Sequence, residues 1–215
     1  MDTNIKLNQI NDLDIKQHSF ILLTSKRASG KTVLLLDLIK NLCDKYEYDF
    51  IVMFSESAKF LKEYDFLDKS FIYRTEEMED KLKKILQIQE RNRMRKKQIN
   101  GLIILDDVKI HHKSKELINL ASMGRHFYLT CLLSTQYPKQ LTSSSVRNNL
   151  DYIFFSDLSE IGLKAIYESI HVKYSFKEFN NFVNENNHSY QFILNDSRTQ
   201  NKDERLKIVK AKQYN

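Results

Sequence analysis

Residues 20–32 read FILLTSKRASGKT, a β-branched and aromatic run that breaks into a polar loop ending Gly-Lys-Thr, followed at once by the apolar stretch VLLLDLIKNLC. A strand, a tight loop and a helix in that order restrict the chain to an α/β arrangement. The loop's backbone N–H groups then gather at the positive end of a helix, which suits a polyphosphate. The candidate nucleotide-binding residues are Ser25, Lys26, Arg27, Ala28, Ser29, Gly30, Lys31 and Thr32. Lys31 is expected to reach the β- and γ-phosphates of ATP and Thr32 to ligate Mg²⁺. The usual pattern opens on glycine; Ser25 stands there instead, which the backbone tolerates as long as its φ stays negative.

A second motif follows 75 residues after Lys31, where GLIILDD forms an unbroken apolar run ending in two carboxylates, Asp106 and Asp107. A strand buried in a parallel sheet reads this way, and its C-terminal end points into the crevice where ligands of open α/β sheets sit. Asp106 is the candidate metal ligand, directly or through water, together with Thr32. Asp107 is the candidate that orients and polarises the attacking water. Asp-Asp also opens turns, and it is the upstream Lys31-Thr32 that favours the chemical reading. After a further apolar run, FYLTCLLS, comes Gln136, whose amide can bond water and γ-phosphate together. Arg125 lies at the other end of that strand, a span of roughly 25–30 Å if extended. It is therefore a catalytic candidate only in trans, as an arginine finger on a neighbour's nucleotide, or else a helix-terminus cation; Arg147 is a second candidate of the same sort.

The net charge of +6 is unevenly placed: residues 81–97 hold eight Lys/Arg against one Glu. Arg91, Arg93, Arg95, Lys96 and Lys97 are candidate DNA contacts, because clustered cations supply sequence-independent, salt-sensitive affinity for a polyanion. A solvated helix face is the alternative. Cys43 and Cys131 have no partners at ligand spacing and read as buried, reduced thiols. His111-His112, beside the acidic pair, read as loop rather than as metal ligands. No run approaches a membrane span and the first residues are polar rather than signal-like, so an intracellular, soluble protein is expected.

Periodicity places strands at about 20–24, 51–55, 101–107, 127–134 and 152–156, with helices between them at 32–45, 76–98 and 113–124, the last stopped by Gly124. Residues 56–75 read as mixed, with a short helix at AKFLKEY and a brief strand at FIY. Two further helices near SEIGLKAIYESI and SFKEFNNFVNEN and a terminal hairpin of YQFILN with RLKIVK complete the chain. The aromatic cluster Tyr167, Tyr174, Phe176, Phe179 and Phe182 reads as core. Alternating strands and helices predict an α/β fold, a parallel sheet sandwiched by helices. Residues 1–215 are expected to form a single domain, with a core at about 18–156 and a small C-terminal elaboration at 157–215.

In combination, SKRASGKT, LIILDD, GRHFYLT and STQYPKQLTSSSVRNNLDYIFF resemble the viral genome-packaging ATPases of the poxvirus type, within the FtsK/HerA superfamily of P-loop ATPases. The departures are Ser25 for glycine and Asp107 where many superfamily members carry Glu. The resemblance covers roughly residues 18–156. It implies an additional-strand, RecA-like P-loop NTPase fold and an ATP- and Mg²⁺-dependent motor, a homo-oligomeric ring that pumps double-stranded DNA into a preformed capsid at the portal vertex. It also implies action in the virion or at the assembly site in the host-cell cytoplasm. A P-loop nucleoside or nucleotide kinase, and a non-catalytic nucleotide-binding DNA scaffold, are the alternatives.

Overall fold

The computed structural model describes residues 6–108, 114–138, 144–170 and 172–214. Among them nine strands form one sheet: β1 (Leu7–Gln9), β2 (Phe20–Ser25), β3 (Phe50–Phe54), β4 (Ile72–Tyr73), β5 (Gly101–Asp106), β6 (Leu129–Thr135), β7 (Tyr152–Ser156), β8 (Gln191–Asp196) and β9 (Leu206–Lys210). Their order across the sheet is β1-β9-β8-β7-β2-β6-β5-β3-β4. Only β8 runs antiparallel to its neighbours; every other pairing is parallel. The helices are α1 (Lys31–Lys45), α2 (Met78–Met94), α3 (Lys115–Met123), α4 (Ser144–Arg147), α5 (Glu160–Tyr167) and α6 (Phe176–Glu185).

The central strands are apolar on both faces because both faces are covered. Side chains alternate along each strand. Phe20 and Leu22 of β2, Ile103 and Leu105 of β5, and Cys131 and Leu133 of β6 pack with α2, α3, α5 and α6 on one side. Ile21 and Leu23, Leu102 and Ile104, and Leu132 pack with α1 on the other. Continuing that alternation, Asp106 and Ser134 fall on the α1 side at the ends of their strands. Their strands pair in register at those two residues. The C-terminal segment straps onto α1 through its one buried acid: Asp37 accepts from the Lys212 backbone N–H (2.7 Å) and the Tyr214 hydroxyl (2.9 Å). Among the described residues no helix is long and apolar enough to cross a membrane.

Several expectations require correction. The helix at 113–124 is α3, and Gly124, at φ −53°, does not stop it in a left-handed conformation. A 3-10 turn over Gly124–Phe127 continues it, and Tyr128, at φ 58°, turns the chain into β6, which therefore starts at 129 rather than 127. The long basic helix ends at Met94; Arg95 caps it and Lys96, at φ 56°, reverses the chain, so Arg95, Lys96 and Lys97 lie in a turn. AKFLKEY forms two 3-10 turns rather than a helix. Cys131 is buried, but Cys43 is exposed, because it sits just past Leu42 on the side of α1 away from the sheet. The pair His111-His112 lies outside the described residues. The terminal hairpin forms as β8 and β9, and the aromatic cluster packs around Phe179 with Tyr167 centred 5.5 Å from it.

Candidate active site

The sheet order puts the candidate residues on adjacent strands. β2 feeds the loop, β6 lies beside it and β5 beside β6, so Gln136 and the Asp106-Asp107 pair emerge from the same end of the sheet as Ser25–Thr32. Ser25 closes β2 in register with Ser156 and is fully buried, so the position demands no glycine. The left-handed residues of the loop are Ala28 (φ 63°) and Gly30 (φ 88°). Ser29 Oγ lies 2.6 Å from Ser25 Oγ and 2.7 Å from the Lys26 carbonyl, closing the loop on itself. Lys26 anchors the outer side, donating from its backbone N–H to the Asp157 carbonyl (3.2 Å) and from Nζ to the Asp157 carboxylate (2.9 Å). Thr32 and Arg27 are exposed.

Among the described residues Lys31 Nζ is buried without a hydrogen-bond partner; Asp107 Oδ1 stands 3.9 Å away. Burial lowers the Lys31 pKa, opposed by the charges of Asp107 and Asp106. Leaving an ammonium out of water without an acceptor is costly, and a phosphate oxygen offsets that cost. The hydroxyls of Thr24 and Ser134 are also buried without a hydrogen bond of normal geometry, at the same ends of β2 and β6. Burial raises the pKa of Asp106, opposed by Ser134 and Lys31 and reinforced by Asp107. Asp107 adopts φ 51°, a left-handed position that Asp tolerates. That turn brings its Oδ2 within 2.7 Å of Gln136 Nε2, which donates to it.

The donor set fits a nucleotide and a hard cation. The buried Lys31 ammonium, paired with Asp107 at 3.9 Å but making no hydrogen bond among the described residues, can donate to an anion. An exposed threonine hydroxyl and the half-buried Asp106 carboxylate are oxygen donors of the kind Mg²⁺ shares with substrate phosphates and waters.

Arg125 stands apart from this group. It lies before β6, at the opposite end of the sheet, with Nη2 2.5 Å from Asp151 Oδ1. Asp151, buried, accepts through Oδ2 from the Phe20 backbone N–H at the start of β2 (2.9 Å). The Arg125 side chain is 58% exposed despite that pairing, so it is accessible from outside the chain. Arg147 ends α4, five residues before β7 begins. The basic residues Arg91–Lys97 precede β5 and share Arg125's end of the sheet, where the buried Gln89 amide ties α2 to the carbonyls of Ile99 (2.6 Å) and Phe127 (2.8 Å).

Tyr64 carried no signal in the sequence. It is fully buried on the α1 side, close enough to Asp106 for their charges to interact although its hydroxyl makes no hydrogen bond of normal geometry. Burial, then the Asp106 charge, push the phenol well above its ordinary range. Tyr64 sits in a series of 3-10 turns whose pattern carries no periodicity, and only the tertiary packing brings it to the acid.

The chain matches the family described as Poxvirus A32 protein over residues 8–213, nearly its whole length. The chain belongs to the poxvirus A32 protein family. An uncharacterised protein, L437, of Acanthamoeba polyphaga mimivirus is 28% identical over 166 residues, covering 69% of this chain. The chain spans 56% of that relative's length. Among solved structures, the genome-packaging NTPase B204 of Sulfolobus turreted icosahedral virus 2, bound to AMPPCP, superposes with a TM-score of 0.62 at 17% identity. The match covers 90% of this chain and 98% of that one. The pCW3 conjugation coupling protein TcpA with ATPγS gives 0.64 at 13% identity, over 93% of this chain and 61% of that one. At these identities the superpositions establish a shared P-loop ATPase fold, and the family match places this A32-type chain within it.

Proposed function

We propose that this A32-family chain is an ATP-hydrolysing DNA translocase that packages a double-stranded viral genome into a preformed capsid, with residues 1–215 acting as one ATPase domain. The observation that carries this reading is the buried Lys31 ammonium, without a hydrogen bond among the described residues, facing at 3.9 Å an Asp107 that is already hydrogen-bonded to Gln136. A phosphate-binding cation, an acid and a neutral amide converge there, and a protein that only held a nucleotide has no need of the last two. Family membership and the likeness to B204, a genome-packaging NTPase, support the same reading.

In the proposed mechanism the Ser25–Thr32 backbone and Lys31 bind and orient the β- and γ-phosphates. Thr32 and Asp106 would hold Mg²⁺, which would supply neutralisation of charge on the phosphate oxygens. Asp107 orients a water for in-line attack and accepts its proton as the bond to the leaving ADP oxygen breaks. Gln136 Nε2 carries two N–H groups. One donates to Asp107, which leaves the other for a γ-phosphoryl oxygen, so the amide links occupancy of the γ position to the placement of the base. Arg125 supplies transition-state charge to the nucleotide of an adjacent chain in a homo-oligomeric ring. The Arg91–Lys97 segment contacts the DNA backbone, and the motor acts at the capsid's portal vertex, in the virion or the host-cell cytoplasm.

The test is ATP hydrolysis measured against protein concentration, with and without long double-stranded DNA. Specific activity that rises with concentration and again with DNA agrees with an assembled motor. A high rate that is independent of both overturns it.

A further inference from the structure

The phosphate loop has two flanks, and the catalytic candidates occupy one of them. Asp106, Asp107 and Gln136 end β5 and β6, on one side of β2; β7 and β8 lie on the other. On that second side is an open depression of about 310 Å³ between Ala28–Gly30, the Ser156-Asp157 end of β7 and the Asn187–Tyr190 turn that leads into β8. A triphosphate held with its γ end beside Lys31 and Asp107 runs back across the loop, and its α end leaves toward this depression. A second depression, of about 390 Å³, adjoins the loop at Lys26 and Arg27, but it is lined by Gln136 and so lies on the catalytic flank.

The turn is built to hold an aromatic ring there. Tyr190 adopts φ 58°, an unusual conformation for a bulky residue, of the kind that persists where surrounding structure fixes it. Its carbonyl accepts from the Ala211 backbone N–H (2.9 Å), the Gln191 N–H donates to the His188 carbonyl (3.0 Å), and its ring packs at the edge of the α1-side core. The ring lies so close to the loop that a Cβ on Gly30 would stand 2.7 Å from Tyr190 Cδ1. Asn187 and His188 are exposed at the rim, offering both donors and acceptors.

We infer that this depression is the nucleoside subsite: the base stacks on the Tyr190 ring while Asn187 and His188 hydrogen-bond its edge or the ribose. The inference rests on the proposed role of Ser25–Thr32 as the phosphate loop. It assigns recognition of the nucleoside to the C-terminal elaboration, which the phosphate motifs do not reach.

Calorimetric titration of the 215-residue chain with ATP and, separately, with inorganic tripolyphosphate, both with Mg²⁺, tests it. Tyr190→Ala is expected to weaken ATP about tenfold and leave tripolyphosphate unchanged, since stacking on an aromatic ring contributes only to the nucleoside. Tyr190→Phe, which keeps the ring, stays within about twofold for both ligands. The exposed pair Asn187→Ala/His188→Ala, which leaves the core intact, weakens ATP alone by about three- to tenfold. Equal losses for ATP and tripolyphosphate in Tyr190→Ala would reduce Tyr190 to a buttress for Gly30 and overturn the assignment. Unchanged ATP affinity in both the tyrosine and the rim variants would do the same. Lys31→Ala must lose both ligands; retention of tripolyphosphate there refutes the loop reading itself and is separate from any failure of the subsite.

Discussion

Asp107→Asn separates binding from chemistry most sharply. Asn is among the few residues at home in the left-handed region, so the φ of 51° at this position is preserved. An Asn carbonyl oxygen still accepts from Gln136 Nε2, now 2.7 Å from Asp107 Oδ2. The negative charge is what disappears. At the 3.9 Å between Asp107 Oδ1 and Lys31 Nζ, unit charges interact by about 4 kcal/mol at the effective dielectric of a protein surface and about 1 kcal/mol in water. With the Asp107 side chain 54% exposed, screening brings the figure toward the lower end, about 1–2 kcal/mol. Removing the carboxylate frees Lys31 for phosphate and relieves repulsion of the γ-phosphoryl group. ATP is therefore expected to bind as tightly as to the native chain, or up to about thirtyfold tighter. Hydrolysis loses its base and falls about 10²–10⁴-fold. Equilibrium binding of ATP alongside single-turnover hydrolysis reads the two effects separately. Turnover within a few-fold of native would remove Asp107 from the reaction, and a joint loss of binding and turnover would show that its place is structural.

Three further perturbations address the rest of the site. Because burial raises the Asp106 pKa in the folded chain, the folded state holds that proton more tightly than the unfolded one, and the charged form lowers stability as pH rises through the window above the ordinary carboxylate value. Asp106→Asn is thus expected to raise the melting temperature of the nucleotide-free protein at neutral pH and to abolish the extra stabilisation by Mg²⁺ with ATP; a lower melting temperature would contradict it. Among the described residues Arg125→Ala leaves the buried Asp151 carboxylate with the Phe20 N–H as its remaining partner; because the arginine is largely exposed, the expected loss is about 1–2 kcal/mol, about 2–8 °C in melting temperature. Adding Asp151→Asn restores the stability but not the assembly-dependent ATPase, and recovery of both would make Arg125 structural. Replacing Arg91, Arg93 and Arg95 together with Gln is expected to weaken binding to double-stranded DNA and reduce the slope of log affinity against log salt by up to about three, whereas an unchanged slope returns the segment to a solvated surface.

The sequence made legible those parts of the molecule that local chemistry fixes. A glycine ahead of Lys-Thr, an unbroken apolar strand ending in two acids, and the alternation of strand and helix are all short-range signals. They placed the loop, Asp106, Asp107 and Gln136 at the ends of strands, and the pairing of β2 with β6 and of β6 with β5 makes those strands neighbours. What stayed hidden depends on long-range pairing. β1 is three residues long and polar, and its strand identity comes from β9 some two hundred positions later, to which even the Asn8 side chain bonds. Gln89 looked like part of a charged helix face, yet it is buried, donating to the carbonyls of Ile99 before β5 and Phe127 before β6. Cys43 was misjudged because a one-residue step on a helix rotates a side chain by about 100°. Tyr64 falls in the stretch read as a helix at AKFLKEY and Tyr190 opens the YQFILN strand, but nothing in either pattern says that the ring adjoins the site.

The two ends of the sheet differ in chemistry, and that difference constrains how chains must meet if Arg125 acts in trans. β6, seven residues long, separates Arg125 from Gln136 by about 23 Å of extended backbone. A guanidinium stem cannot bridge that length, and the central strands, buried on both faces, cannot shorten to help it. The arginine end of one sheet must then approach the nucleotide end of another. A twofold pair would satisfy two such contacts and stop at two chains. A head-to-tail contact leaves one end of each chain open for the next copy and closes only as a ring. In a mixture of Lys31→Ala and Arg125→Ala chains, either arrangement rescues hydrolysis, because the first contributes the arginine and the second the loop. The assembled mass of the active species separates them: two chains in one case, more than two in the other. No rescue at any ratio would leave Arg125 as the partner of Asp151 alone.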